Sequence, residues 1–295
     1  MITQTRFEEE VRAFLSFQQD QDLPIFGQRF SCPVLYYPER LLAIHLISLE
    51  KTNLLLPDTF VQLSDALAVE SIKVIHLWED VWYSKKTVVQ SRLRAAFGIS
   101  QRIPARLTKV RRIDKPTLER FMEANHLQVS TNAKFKYGLF LPKNYQRILK
   151  DDSPAAPFLT QQMTIQGEAL VAVASFSGGK NILREGEAFR SFELIRFANH
   201  LDCTVVGGLD KLLKAFVTEL QPDDIMTYAD RDWSDGRSYE RLGFERMGAT
   251  PPHTFWVNPD TWERHYAERL LPDDIGIHWV KVYNSGNWKF LKKMI

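Results

Sequence analysis

An α/β (α+β) fold is predicted for this 295-residue chain by three features of its sequence. Strand-length apolar runs rich in Val, Ile and aromatic residues alternate along the whole chain with segments whose apolar residues recur at helical spacing. The stretch 193–244 reads as strand, glycine turn, helix, strand, helix, with Leu212, Leu213, Phe216 and Val217 on one helical face and Ile225 and Thr227 suiting a buried strand. Finally, 44% hydrophobic content over this length is enough for a sizeable core in more than one domain.

Taken in order, residues 6–20 predict an amphipathic helix with Phe7, Val11, Phe14, Leu15 and Phe17 facing inward and Glu8–Glu10 loading its first half with negative charge. Two strands follow within 31–50, turned at 38–40, then a short helix over 58–69, a strand and turn over 71–82, and a helix over 84–97 that stops at Gly98. Between 101 and 150 there are 12 Lys or Arg against three acids. That segment holds a strand and a helix that Asp114 or Thr117 can cap, with Pro116 in its first turn. Strands over 134–142 and 167–179 flank a polar loop. Residues 253–259 read as a closing strand, and 261–295 as a helix over 262–271 followed by a hairpin turning at 284–286. The expected domains are 1–100, 101–260 and a 261–295 extension.

A net charge of +2 confines any nucleic-acid footprint to a local patch. The basic stretch 101–150, interleaved with Phe135, Tyr137 and Tyr145, suits a phosphate backbone and a stacked base, or is simply a solvated face. Cys32 and Cys203 lack metal-ligand spacing, which fits a reduced, cytoplasmic setting. No apolar run approaches the roughly 18 residues that span a bilayer, so no membrane partner is expected.

Gly207 and Gly208 let the backbone turn sharply and present N–H groups to an anion at the start of a helix. On these residues, and on Tyr239, Leu242, Gly243 and Phe244, the segment resembles the GNAT N-acetyltransferases. The order of elements over 106–257 supports the same resemblance. It implies a GNAT-like mixed sheet and an acetyl-CoA or related acyl-CoA cofactor whose pyrophosphate lies on Val206, Gly207, Gly208 and Leu209. Thr204 and Leu209 stand where that family's loop carries Arg or Gln and then Gly or Ala. The resemblance further implies Tyr239 as the acid that protonates the departing thiolate and Glu193 as the base; strand alternation places Arg196 on the face opposite Glu193.

Asp230, Asp232 and Trp233 crowd the end of a strand, where ligands approach open α/β sheets. With Glu193, Arg196, Tyr228, Gly236 and Tyr239, Asp230 also carries a resemblance to the phage Mom family of DNA-modification proteins, which implies nucleic acid as partner and Asp230 as a catalytic residue. Arg106, Lys109, Arg111 and Arg112 are the expected phosphate contacts, and Asn125 and His126 are expected to border the same cleft. The stretch 33–107 is similar to the very-short-patch-repair-like nucleases. In that restriction-endonuclease-like domain Val34 and His45 replace the metal-binding acids, while Glu79 and Asp80 remain; this implies no metal and no cleavage. An ordinary small α/β domain is the other reading of 1–100. Three functions are thus open: a GNAT-like acyltransferase acting on nucleic acid, an inactive nucleic-acid-binding accessory protein, and a small-molecule or protein N-acetyltransferase.

Overall fold

The computed structural model describes residues 5–21, 32–128, 131–149, 167–184, 186–271, 275–276 and 278–294. The chain forms two compact units, one from Met1–Lys86, Ala229–Glu240 and Arg246–Lys289, the other from Thr87–Tyr228, Arg241–Glu245 and Phe290–Ile295. Residues 87–100 therefore go with the second unit and 246–289 with the first. Most of the 142–166 loop anticipated from the sequence lies outside the described residues.

The first unit opens with α1 (Arg6–Phe14), started by a reciprocal capping box between Thr5 and Glu8. Phe7, Val11 and Leu15 are buried as expected, whereas Phe17 is exposed and lies past the helix end. Three strands follow: β1 (Val34–Tyr37), β2 (Leu42–Ile47) and β3 (Lys73–Trp78). Pro38–Arg40 form the single 3-10 turn that makes β1 and β2 antiparallel, and α2 (Pro57–Val69) crosses over to make β2 and β3 parallel. Pro57 suits the first turn of α2, where its missing N–H has no intrahelical role. α3 (Glu79–Ser84) continues directly from β3.

The second unit begins with α4 (Lys86–Ala96) and β4 (Gln101–Pro104), followed by β5 (Lys109–Arg112). α5 (Lys115–Asn125) starts as the sequence predicts, with Asp114 accepting from the Thr117 N–H at 2.9 Å and Pro116 in the first turn. Then come β6 (Phe135–Leu141), β7 (Ala169–Phe176), β8 (Lys180–Arg184), β9 (Glu187–Asn199), β10 (Cys203–Val206), α6 (Gly208–Leu220) and β11 (Asp224–Asp230). The sheet of this unit runs β11, β9, β7, β6, β5, with β8 hairpinned onto β9. β11 is parallel to β9, and the other neighbours are antiparallel, so the sheet is mixed, as the sequence predicts. α6 covers one face through Phe216, which stacks on Phe176 at 4.0 Å and meets Phe192 edge-on. α5 packs Leu118, Phe121 and Met122 with Phe140, Val173 and Ala198 on the other face.

Returning to the first unit, the chain makes one turn of helix, α7 (Arg237–Glu240), rather than the longer helix expected up to Gly243. Gly243, at φ +80°, redirects the chain into β12 (Glu245–Ala249). β13 (Thr254–Val257) does not close the central sheet. It pairs with β14 (Arg264–Tyr266) and β15 (Val280–Tyr283) in a three-stranded sheet of its own. The helix expected over 262–271 is absent: Trp262 sits at φ +61°, Arg264–Tyr266 form a strand with Tyr266 tilted against Phe255 at 4.7 Å, and Ala267–Arg269 form only a 3-10 turn. Nor do 280–293 form a hairpin. β15 belongs to β13, and β16 (Asn287–Lys293) runs in a different sheet. The expected 261–295 extension contributes to a core: Val282 is buried in one cluster with Phe255 and Val257 of β13 and with Ile47, Leu49, Phe60 and Trp78 of the first unit.

Gly286 locks this arrangement. Its φ is +76°, and a Cβ there would lie 2.2 Å from the Thr250 carbonyl oxygen and 3.0 Å from that of Pro251. Both the conformation and the contact exclude a side chain. Gly286→Ala is expected to destabilise the first unit by about 3 kcal/mol, read as a fall in urea midpoint with unchanged slope; a midpoint equal to wild type would show that the 284–287 turn does not hold the unit together.

Candidate active site on the second unit

β9 is interrupted where chemistry-bearing residues gather. Phe176 pairs with Leu194 and Ser175 with Arg196, so Ile195 is an extra residue on β9, a β-bulge. The bulge reverses the alternation beyond it. Leu194 pairs with Phe176 toward α6, but Arg196 falls on the face of Ala198 and α5. Glu193 points away from Leu194 and therefore shares a face with Arg196, which corrects the opposite-face placement drawn from simple alternation. The ladder between β9 and β11 runs from Ser191–Asp224 to Leu194–Thr227, although β9 continues to Asn199. The two parallel strands part just past Glu193.

Met226 lies opposite Glu193, and Tyr228, two residues on, occupies the same face. Tyr228 is 37% exposed. Burial, then the Glu193 charge, raises the pKa of its phenol, which keeps it protonated at neutral pH. A carboxyl and a protonated phenol thus share one face of the β9–β11 pair.

The start of α6 is held at the carboxyl end of β9, since the Asn199 side-chain oxygen accepts from the Val205 N–H. β10 pairs in parallel with β4, then Gly207 turns the chain at φ +77° into α6. A Cβ on Gly208 would sit 3.0 Å from the Val205 side chain. Val206 and Gly207 are exposed, Gly208 is buried and Leu209 half-buried. The first amides of a 13-residue helix thus lie beside exposed backbone, with the partial positive charge of the helix end behind them. Lys211 donates to the carbonyl oxygens of Ala105 and Thr108, tying the Ala105–Leu107 turn to this helix end. Arg102, opposite Thr204 in the β4–β10 pair, and Arg106 are both exposed.

Other residues singled out by the sequence are engaged elsewhere. Lys109 and Arg111 both pair with the buried Glu168. Arg112 pairs with Glu219 and lies over the rings of Tyr137 and Phe135. These cations brace the sheet edge against β7 and α6, so they are not a ready phosphate track. Asn125 is buried; it donates to the Phe121 carbonyl and accepts from the Leu201 N–H, joining α5 to the loop after β9. His126 ends α5 and accepts from the Gln128 N–H. Asp230, Asp232, Trp233 and Tyr239 belong to the first unit. Trp233 is buried, which removes it as a stacking surface, and Asp232 accepts from the Ser285 backbone N–H and hydroxyl at 2.8 and 2.6 Å. Burial, then Asp230, pushes the Asp232 carboxyl up to about 7. Tyr228 was legible only as part of a family resemblance. Its pairing with Glu193 depends on strand register, which no local signal shows.

No characterised family profile and no curated protein matches this chain. Solved structures similar to part of it include a NatC complex bound to Gag peptide and CoA (TM-score 0.34, 10% identity) and NAA60 of Arabidopsis thaliana with a bisubstrate analogue (0.36, 11%), each covering 64% of this chain and 99% of theirs. A third is a histone acetyltransferase HPA2 and related acetyltransferase from Corynebacterium glutamicum (0.32, 14%), covering 64% and 97%. Resemblance at this level does not set the family.

Proposed function

We propose that the second unit is a GNAT-like acyltransferase domain that holds a CoA thioester at the start of α6 and transfers its acyl group at the cleft between β9 and β11. The observation that carries this reading is the parting of two parallel strands at a bulge, with a glycine-started helix end fixed beside the same strand by Asn199. Ligands of open α/β sheets bind at the carboxyl ends of parallel strands, and helix amides there suit a pyrophosphate. Arg102 and Arg106 supply the positive charge that Thr204 and Leu209 do not. When bound, the thioester provides an activated acyl carbon. In this reading Glu193 takes the proton of the attacking amine, and Tyr228 gives a proton to the departing sulfur. A nucleic-acid acceptor has support only from Arg102 and Arg106, because Lys109, Arg111 and Arg112 are already ion-paired.

Gly207→Glu places bulk, charge and a strained φ where the pyrophosphate would lie, and is expected to weaken acetyl-CoA binding at least 100-fold by isothermal titration, a loss of about 2.8 kcal/mol. Tyr228→Phe should leave that affinity intact and lower kcat against an amine acceptor by about 100-fold; an unchanged kcat would remove Tyr228 as the acid. Absence of acetyl-CoA binding by wild type at millimolar concentration would end the acyltransferase reading.

A further inference from the structure

The first unit contains a pocket of about 170 Å³, formed between α2, the loop after β11, α7, β12 and β16. We propose that this pocket binds a phosphoryl group, held by Arg231 and by the hydroxyl of Ser64. This site goes beyond the acyltransferase reading and is independent of it.

Arg231 is the first reason. It is 7% exposed, lines the pocket and lies over Trp288 at 4.0 Å. Its one side-chain hydrogen bond among the described residues runs from Nη2 to Asp65 at 2.6 Å, while Nε has no partner. The Asp65 side chain is 57% exposed, so water screens the carboxylate while the guanidinium stays out of water. A buried guanidinium with donors uncommitted costs stability unless an acceptor completes it. The planar fork suits two oxygens of a phosphoryl group. Around it, Lys73, Arg237 and Arg246 bring the pocket's cations to four, against Asp65, Asp235 and Glu240. Each of these carboxylates is neutralised by its own arginine: Arg231, Arg237 and Arg246 respectively.

Ser64 gives the second, separate reason. Its Oγ lies 2.8 Å from His76 Nε2, and His76 Nδ1 lies 3.1 Å from His45 Nδ1. Both imidazoles are deep in the unit and neutral, burial being the main cause for each. Each ring then carries one N–H, and two directions satisfy the chain. In the one where His45 Nδ1–H donates to His76 Nδ1 and His76 Nε2–H donates to Ser64 Oγ, the Ser64 hydrogen points away from the histidine; a bound oxyanion favours that direction. Ser64 lines the pocket, so that hydrogen faces an acceptor there, and an oxyanion is the strongest acceptor available.

The test is thermal unfolding of the full chain in rising inorganic phosphate, with chloride balancing ionic strength. A saturable rise in Tm is expected, abolished by Arg231→Gln and shifted to about ten-fold higher phosphate by Ser64→Ala. If Arg231→Gln does not fold, Ser64→Ala combined with Arg246→Gln replaces it, and must lose the rise. No rise in wild type, or a rise that survives these substitutions, overturns the proposal. A rise lost instead in Gly207→Glu places the anion at the start of α6 and overturns it too, whereas loss in the pocket variants alone supports it whether or not the chain binds acetyl-CoA.

Discussion

Asp80→Ala is expected to destabilise the first unit by about 3–5 kcal/mol, the usual consequence of removing one partner of a buried ion pair. Both carboxylate oxygens of Asp80 are taken by Arg264, at 2.7 and 2.8 Å, and Asp80 is 1% exposed. The guanidinium lies over the rings of Trp78 and Phe255 at 5.5 and 5.2 Å. Burial alone would make it easier to deprotonate, but the carboxylates around it, Asp80 foremost, raise its pKa and keep it charged. Without Asp80, a cation remains in an apolar layer with two donors unsatisfied. Replacing both residues, Asp80→Leu with Arg264→Met, should recover most of the loss, because no charge is then left unpaired. Urea unfolding of the two variants gives the coupling energy. If the double variant is as unstable as Asp80→Ala, the pair is not the cause. The same contact changes how Asp80 reads in the sequence. It stands where a nuclease-like motif would keep a carboxylate, yet its lone pairs are committed to Arg264, 184 residues away.

That distance explains what the sequence could show. Local signals were legible: the Thr5 and Asp114 caps, the turn at Pro38–Arg40, the apolar face of α6 and the glycine turn at its start all depend on neighbours within a few residues. Assembly was not. β13 to β15 pair among themselves and bury Phe255 and Val282 against Trp78, and nothing in the 254–283 stretch signals a core shared with β3. The basic run 101–150 meets the same limit. Composition counts charges, but Glu168 and Glu219, which neutralise Lys109, Arg111 and Arg112, come from β7's edge and α6. In the candidate active site, Glu193 was visible as an acid in a strand. That it shares a face with Tyr228 depends on the β9–β11 register, and that it shares one with Arg196 on the bulge at Ile195, where one inserted residue reverses every later side chain.

Acid should destabilise the first unit through His45 and His76, and the size of the effect depends on a competing carboxyl. His45 is 1% and His76 0% exposed, and burial depresses both, His45 to about 3 and His76 well below the ordinary value, with His45 and Arg231 adding to the second shift. The stability held by these neutral rings is complete above about pH 6.5 and is lost as pH falls toward the folded values, because the unfolded chain takes up protons first. Each ring loses on the order of 1 kcal/mol per pH unit over that range. Asp232 acts in the opposite sense. Its folded value near 7 means that the folded state takes up this proton before the unfolded chain does, so acidification relieves strain that the ionised carboxylate carries at neutral pH. Two rings act against one carboxyl, and the expected net effect of acid is a loss of stability. The urea midpoint followed against pH should therefore fall below pH 6.5 in wild type, fall more steeply in Asp232→Asn, and flatten or reverse in His45→Leu. An unaltered slope in His45→Leu would mean that the ring is not held neutral by the fold, and an unaltered slope in Asp232→Asn would mean that the Ser285 hydrogen bonds keep that carboxylate ionised despite its burial.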